Sequence, residues 1–144
     1  MINILSGIDA TSAALNAERI RMDVVSENIA NANTTRGLDG KAYERQQVVF
    51  ESVLRAQQSA ETPGLSPQSI QVARVEKDHR PPRMIHNPTH PDANADGMVA
   101  MPDINIHEEM VDMIAASRAF EANLAVIKNA RSMAMQALAI GKHS

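Results

Sequence analysis

Apolar residues return at alternating spacings of four and three at both ends of this chain, and that repeat limits the fold more than anything else in it. Near the N-terminus the row runs Ile4, Ile8, Thr11, Leu15, Glu18, Met22, Val25, Ile29 and Ala32. Near the C-terminus it runs Ile106, Met110, Met113, Ser117, Phe120, Leu124, Ile127, Arg131, Ala134 and Leu138. Such spacing lines one seam of an α-helix, as in the a and d positions of a coiled coil. At a rise of 1.5 Å per residue the C-terminal helix is about 50 Å long. A small globule cannot cover so long an apolar strip. The two ends are therefore expected to pack on each other, on neighbouring molecules, or both.

The expected fold is mainly α. Long N- and C-terminal helices pack as a coiled-coil-like pair around a small β-rich or irregular central insert. Residues 1–35 form the first helix, 36–102 the insert and 103–144 the last helix, all within one structural unit. Both seams are rich in Ala, Met, Ser and Thr, and isolated helices of this kind are marginal. Partial disorder of the ends in the free monomer, relieved on assembly, is the corresponding expectation. If the helices run antiparallel, Glu18 falls level with Arg118, which makes a register-setting ion pair between them.

Helix signals bound both ends. Asn31, Asn33, Thr34 and Thr35 compete with the backbone for hydrogen bonds, and Gly37 permits positive φ, so the first helix stops near Asn28 to Thr35. Two asparagines three apart, Asn28 and Asn31, share a helical face. They read either as a cap or as donors and acceptors toward a neighbouring subunit. Asp103 or Asn105 caps the last helix, and Glu108 and Glu109 suit its positive end. Gly141 ends it, and Lys142 and His143 suit its negative end.

Within the insert, Tyr43 to Phe50 and Ser69 to Val75 have strand composition, and a flexible loop over Gln57 to Gln68 joins them as a β-hairpin. From Arg80 to Pro102 five prolines (81, 82, 88, 91 and 102) favour an extended arm. Asn94, Asp96 and Gly97 mark a turn in it.

Composition narrows the function. Only Tyr43, Phe50 and Phe120 are aromatic, while Met occurs nine times. Small and unbranched side chains suit close helix packing better than an enzyme cleft. The net charge of −3, with no basic block, argues against nucleic-acid binding. Absence of Cys excludes disulfides, zinc–thiolate sites and thiol catalysis. No window resembles a cleavable signal peptide or a membrane span, so no direct membrane insertion is expected.

Chemical constellations are weak. His86 and His90 are four apart, near Asp92 and Asp96, but Pro88 and Pro91 interrupt any helix that would align them as metal ligands. The segment reads as a solvated arm. Methionines 98, 101, 110 and 113 read as adaptable packing rather than a thioether metal site. No phosphate loop or nucleophile motif is present. No cofactor, metal or catalytic residue is expected.

Ser26-Glu27-Asn28-Ile29-Ala30-Asn31-Ala32-Asn33-Thr34 resembles the N-terminal signature of bacterial flagellar rod and hook proteins. His90-Pro91-Asp92-Ala93-Asn94, Met101-Pro102-Asp103-Ile104-Asn105, Glu108 to Ile114 and Ala116 to Asn123 resemble, more specifically, the flagellar basal-body rod protein family at its proximal rod. The resemblance implies a subunit exported without cleavage by the flagellar type III export apparatus, whose terminal helices line a periplasm-spanning rod. It also implies partners: copies of itself, other proximal rod subunits, the MS-ring–rod junction protein and the distal rod protein. Such a rod connects the MS ring to the distal rod and hook and transmits motor torque. Another flagellar axial subunit, or a cytosolic helical adaptor, is the alternative. The expected assembly interface runs through Ile8, Leu15, Met22, Val25, Asn28, Ile29 and Asn31 at one end. At the other it runs through Met110, Met113, Phe120, Asn123, Leu124 and Ile127.

Overall fold

The computed structural model describes residues 4–37, 39–54 and 68–141. Helix α1 spans Ile4–Ala30 and helix α2 spans Ile106–Gly141. Between them come strands β1 (Gln46–Leu54), β2 (Gln68–Lys77), β3 (Arg83–His86) and β4 (Met98–Met101). The strands form two separate antiparallel pairs, β1 with β2 and β3 with β4.

The two helices run antiparallel. Near the end of α1, Asn28 touches Glu109, close to the start of α2; one to two turns back, Arg21 reaches Asp112. The helices therefore start level at this end. Since α2 has 36 residues and α1 has 27, α2 runs on past Ile4 for nine residues, about 13 Å.

Burial along α2 falls on Glu109, Met113, Ala116, Phe120, Asn123, Ile127, Ala130 and Ala134, a row alternating four and three. It shares Met113, Phe120, Ile127 and Ala134 with the expected seam, but Glu109, Ala116, Asn123 and Ala130 each lie one position before an expected member, and Met110 and Ile106 are exposed. On α1 the deepest positions are Ala17, Val24, Val25 and Asn28, and Ala32 is buried just past its end. The expected row of Ile8, Leu15, Met22 and Ile29 is half-buried beside them. The buried stripe on α1 is wider than one helix contact requires because the β1–β2 pair also packs against it.

The β1–β2 pair falls where a hairpin is expected, with β1 beginning three residues after Tyr43 and ending four beyond Phe50. Val48 lies opposite Val75 and Val49 opposite Arg74, but Phe50 lies opposite Val72. The register thus slips by one residue at Ala73, a β-bulge that bends the ribbon. The expected loop lies outside the described residues as far as residue 67.

The Pro-rich arm departs from the extended form expected of it. It contains a hairpin, with Arg83 opposite Met101 and His86 opposite Met98. All five prolines fall outside the two strands, so neither strand loses a ladder donor. The turn is closed by Asn94, whose Oδ1 accepts from the Asp96 and Met98 amides at 3.0 and 2.9 Å. Gly97 follows at φ 74°, a conformation that favours glycine.

Candidate assembly interface

Asn28 is the hub where α1, the insert and α2 meet. It is completely buried. Its Nδ2 donates to the Gln46 carbonyl at 2.8 Å and to Glu109 Oε2 at 3.0 Å. Its Oδ1 accepts from the Gln46 amide at 2.9 Å and from the Tyr43 hydroxyl at 3.1 Å. Both donor hydrogens and both lone pairs of the amide are thereby used. Glu109, also buried, accepts at its other oxygen from Arg45 Nε at 2.7 Å. A carboxylate this deep requires a paired cation and further donors, and Arg45 and Asn28 supply both.

Tyr43, the residue that brings its ring to this hub, has its hydroxyl pKa pushed above the ordinary 10.0. Burial is the largest cause and the Glu27 charge adds to it, while the hydrogen bond with Gln46 opposes them. Asp78, next to Arg45, is held below its ordinary value. Desolvation would raise it, but hydrogen bonds and charge from Arg80, with the charge of Arg45, outweigh that. Around this point lies a cleft of about 500 Å³ bordered by Tyr43, Arg45, Asp78, Arg80 and Pro102. Its charges pair with one another: Arg80 with Asp78 at 2.8 Å and with Asp103 at 3.3 Å, and Arg45 with Asp78 at 3.9 Å.

Asn31 acts locally. Its Nδ2 donates to the Glu27 carbonyl at 2.9 Å and its Oδ1 accepts from the Thr34 hydroxyl at 3.2 Å. The Asn31 amide makes the last helical bond, to Glu27, before the chain turns. Asn105 caps α2, accepting from the His107 amide at 3.1 Å, while its own Nδ2 reaches Glu108 at 3.0 Å.

The residues expected at an interface divide into two groups. Val25 and Asn28 are buried within the subunit, so their side chains serve its own packing. Ile8, Leu15, Met22, Ile29, Asn31, Met113, Phe120, Asn123, Leu124 and Ile127 are half-buried. Met110 is exposed. The expected register pair is corrected: Glu18 lies 3.9 Å from Arg21 on its own helix, and among the described residues Arg118 has no acidic partner. Arg21 instead bridges the helices, reaching Asp112 at 3.3 Å. It stands three residues past Glu18, on the buried row with Ala17 and Val24, and so takes the cross-helix position.

Sequence reasoning missed Glu109, Arg45 and Ala116. The sequence position of Glu109 beside Glu108 suggests only a partner for the helix dipole. The available signal was its place on the row of Met113, Ala116 and Phe120, where a carboxylate calls for a cation. Also missed was the outer face of α2, where Val111, Ile114, Val126, Met133, Met135 and Ile140 are exposed.

Residues 8–36 match the family model described as flagella basal body rod protein, and residues 95–140 match that of the flagellar basal body rod FlgEFG protein C-terminal. The chain is similar to the flagellar basal-body rod protein FlgC of Borreliella burgdorferi, at 40% identity over 96% of this chain and 98% of that protein. It is 36% identical to FlgC of Bacillus subtilis, over 94% of this chain and 96% of that protein. It is 34% identical to FlgC of Salmonella typhimurium, over 96% and 98% respectively. The matched regions hold the Asn28 hub on one side and the whole start of α2 on the other, and the likeness runs the length of the chain: it belongs to the FlgC family of flagellar basal-body rod proteins.

Proposed function

We propose that this chain is a structural subunit of the proximal rod of the bacterial flagellum, held in the basal body by its terminal helices. Membership of the FlgC family supports the place and the structural role. The observation that carries the mechanism is the outer face and free end of α2, where large apolar side chains lie uncovered on a helix that outlasts its partner. Clusters of exposed large apolar side chains of this kind mark an interaction site.

In this reading α1 and α2 pack as a coiled-coil-like pair, and pairs from neighbouring molecules stack into the rod. Many shallow contacts engaged together are strong collectively, though each is weak alone. The Asn28–Glu109–Arg45 hub fixes the insert to both helices, so torque applied at one surface reaches the others without a hinge. The partners are copies of this chain, other proximal rod subunits, the MS-ring–rod junction protein, the distal rod protein and, before assembly, the flagellar type III export apparatus. The three segments 1–35, 36–102 and 103–144 act as one unit, with the half-buried row from Ile8 to Ile29 and from Met113 to Ile127 shared between internal and external contacts.

The test is a pair of substitutions on the outer face, Val111→Asp with Ile114→Asp. Both positions are exposed, so the monomer folds with an unchanged circular dichroism spectrum, but purified basal bodies lack the variant and the cells do not swim. Normal swimming with the variant in the basal body overturns the proposal.

A further inference from the structure

The β3–β4 hairpin has one face whose donor side chains are two thioethers and an imidazole. Residues directly opposite in an antiparallel pair share a face, and so do residues two apart on one strand. His86 lies opposite Met98 and Met84 opposite Ala100, so these four stand on one side of the hairpin. Arg83, Ile85, Val99 and Met101 stand on the other. Burial tells the sides apart: Val99 is 2% exposed, whereas Met84 is 48% exposed and His86 is also exposed. The side with Met84, His86 and Met98 is therefore the outer one.

The three are near enough to share a ligand. Cβ atoms of opposite residues, such as His86 and Met98, stand about 5 Å apart, and Met84 precedes His86 by about 7 Å along its strand. Ala100, opposite Met84, carries only a methyl group, which leaves Met84 room to lean toward Met98. Methionine has three rotatable bonds and adapts to what it meets. The imidazole is the fixed member. Its Cε1 lies 3.1 Å from where a Cβ on Gly97 would stand, and Pro88 Cβ comes as close to the same point. The ring thus rests against the turn beside Met98. Among the described residues it makes no side-chain hydrogen bond, while His90 spends its Nδ1 on the Asp92 amide at 3.1 Å.

Two thioether sulfurs and one imidazole nitrogen are a donor set for a soft monovalent cation. Thioethers select Cu(I) and imidazole suits copper, whereas Zn²⁺ takes thiolate, imidazole and carboxylate. Among the described residues no three His, Asp or Glu cluster to hold a harder ion. Arg83, the only arginine or lysine in the two strands, falls on the opposite face and does not set its charge against the site. The methionines that converge are not those adjacent in sequence. Met98 and Met101 fall on opposite faces, and Met98 is joined instead by Met84 from the other strand.

We propose that Met84, His86 and Met98 form a surface site for one Cu(I) ion on the outer face of the β3–β4 hairpin. Binding involves no electron transfer: the ion enters and leaves as the monovalent cation. The site stands on the hairpin's own register and is independent of the rod-subunit reading.

The chain has no cysteine, so no thiol competes for the ion. The purified, untagged full chain is titrated with silver nitrate, a redox-inert stand-in, while methionine methyl and histidine ring signals are followed by NMR. It is also titrated under nitrogen with Cu(I) held by the chelator bicinchoninate. The expected result is a single bound equivalent, with shifts confined to Met84, Met98 and His86 among the nine methionines and five histidines. Met84→Leu, Met98→Leu and His86→Phe each weaken binding by about tenfold or more with an unchanged circular dichroism spectrum. Met135→Leu, at an exposed position on α2, leaves binding as it was. The shifts in the unaltered chain identify the ligands by themselves, so a variant that fails to fold does not decide the matter. Shifts spread evenly over the exposed methionines, no Cu(I) withdrawn from the chelator, equal weakening by Met135→Leu, or zinc sulfate bound as tightly as Cu(I) overturns the site.

Discussion

Asn28 and Glu109 meet side chain to side chain at 3.0 Å, both shut off from water, although 81 residues separate them in the chain. The bond closes the molecule at the one place where its first helix, its insert and its last helix converge. Replacing Asn28 by Ala leaves the Gln46 amide and carbonyl, the Tyr43 hydroxyl and one Glu109 oxygen without this partner. The expected loss is about 2–4 kcal/mol, since each buried group left unsatisfied costs about 1–3 kcal/mol and nearby water recovers part of it. Urea unfolding of the purified chain followed by circular dichroism measures it. Asn28→Asp is expected to be worse, because it sets a second carboxylate against Glu109.

Ala116 has no exposed surface at the α1–α2 contact. Ala116→Leu forces the helices apart and is expected to destabilise the chain by about 1–3 kcal/mol. Ala125, exposed on the other side of α2, is the control. There the same change stays within about 0.5 kcal/mol. Thermal unfolding of the two variants side by side is sufficient.

The chain contains a single tyrosine and no tryptophan, so phenolate absorbance reports Tyr43 alone. Its raised pKa means the folded state favours the neutral hydroxyl. The stabilisation is fully present below the ordinary value of 10.0 and is lost as pH rises through the higher folded value. An alkaline titration is expected to show Tyr43 ionising above 10.0 in the native chain and returning to the ordinary value in denaturant. Tyr43→Phe removes the corresponding loss of stability at high pH.

Gly97 and Gly40 both have φ 74°, but their surroundings differ. A Cβ on Gly97 meets His86 Cε1 and Pro88 Cβ at 3.1 Å, while one on Gly40 meets nothing. Gly40→Ala pays only for the left-handed backbone, about 1–2 kcal/mol. Gly97→Ala pays that and the crowding in the β3–β4 turn. A melting temperature for Gly97→Ala at or above that of Gly40→Ala would contradict this account of the turn.

The long helices, their ends and the β1–β2 hairpin were legible because each rests on local chemistry: the four-three repeat, Asn105 and Asn31 at helix ends, and strand composition in Tyr43 to Phe50 and Ser69 to Val75. The rows of burial were less legible. Periodicity finds an apolar stripe but not what covers it, and the sheet lying on α1 moved the centre of burial to Ala17 and Asn28. Small or polar residues carry no strong hydrophobic signal, so nothing in the pattern marked Ala116 and Glu109 as buried. The β3–β4 pair was hidden by its flanking prolines, which mark strand ends as readily as an open arm. Glu18 and Arg118 were placed level by counting, but a pair needs side chains aimed at each other, and it is Arg21 that reaches an acid on α2. The flagellar signature located Asn28 and Asn31 without saying what they do, since partners 18 and 81 residues away are not written in a short motif.

Electron microscopy of basal bodies from cells with this gene deleted in frame, then restored, tests the rod assignment most directly. The account predicts that membrane rings remain while rods and hooks are missing, and that both return with the intact gene. Intact rods and swimming cells in the deletion strain would contradict it.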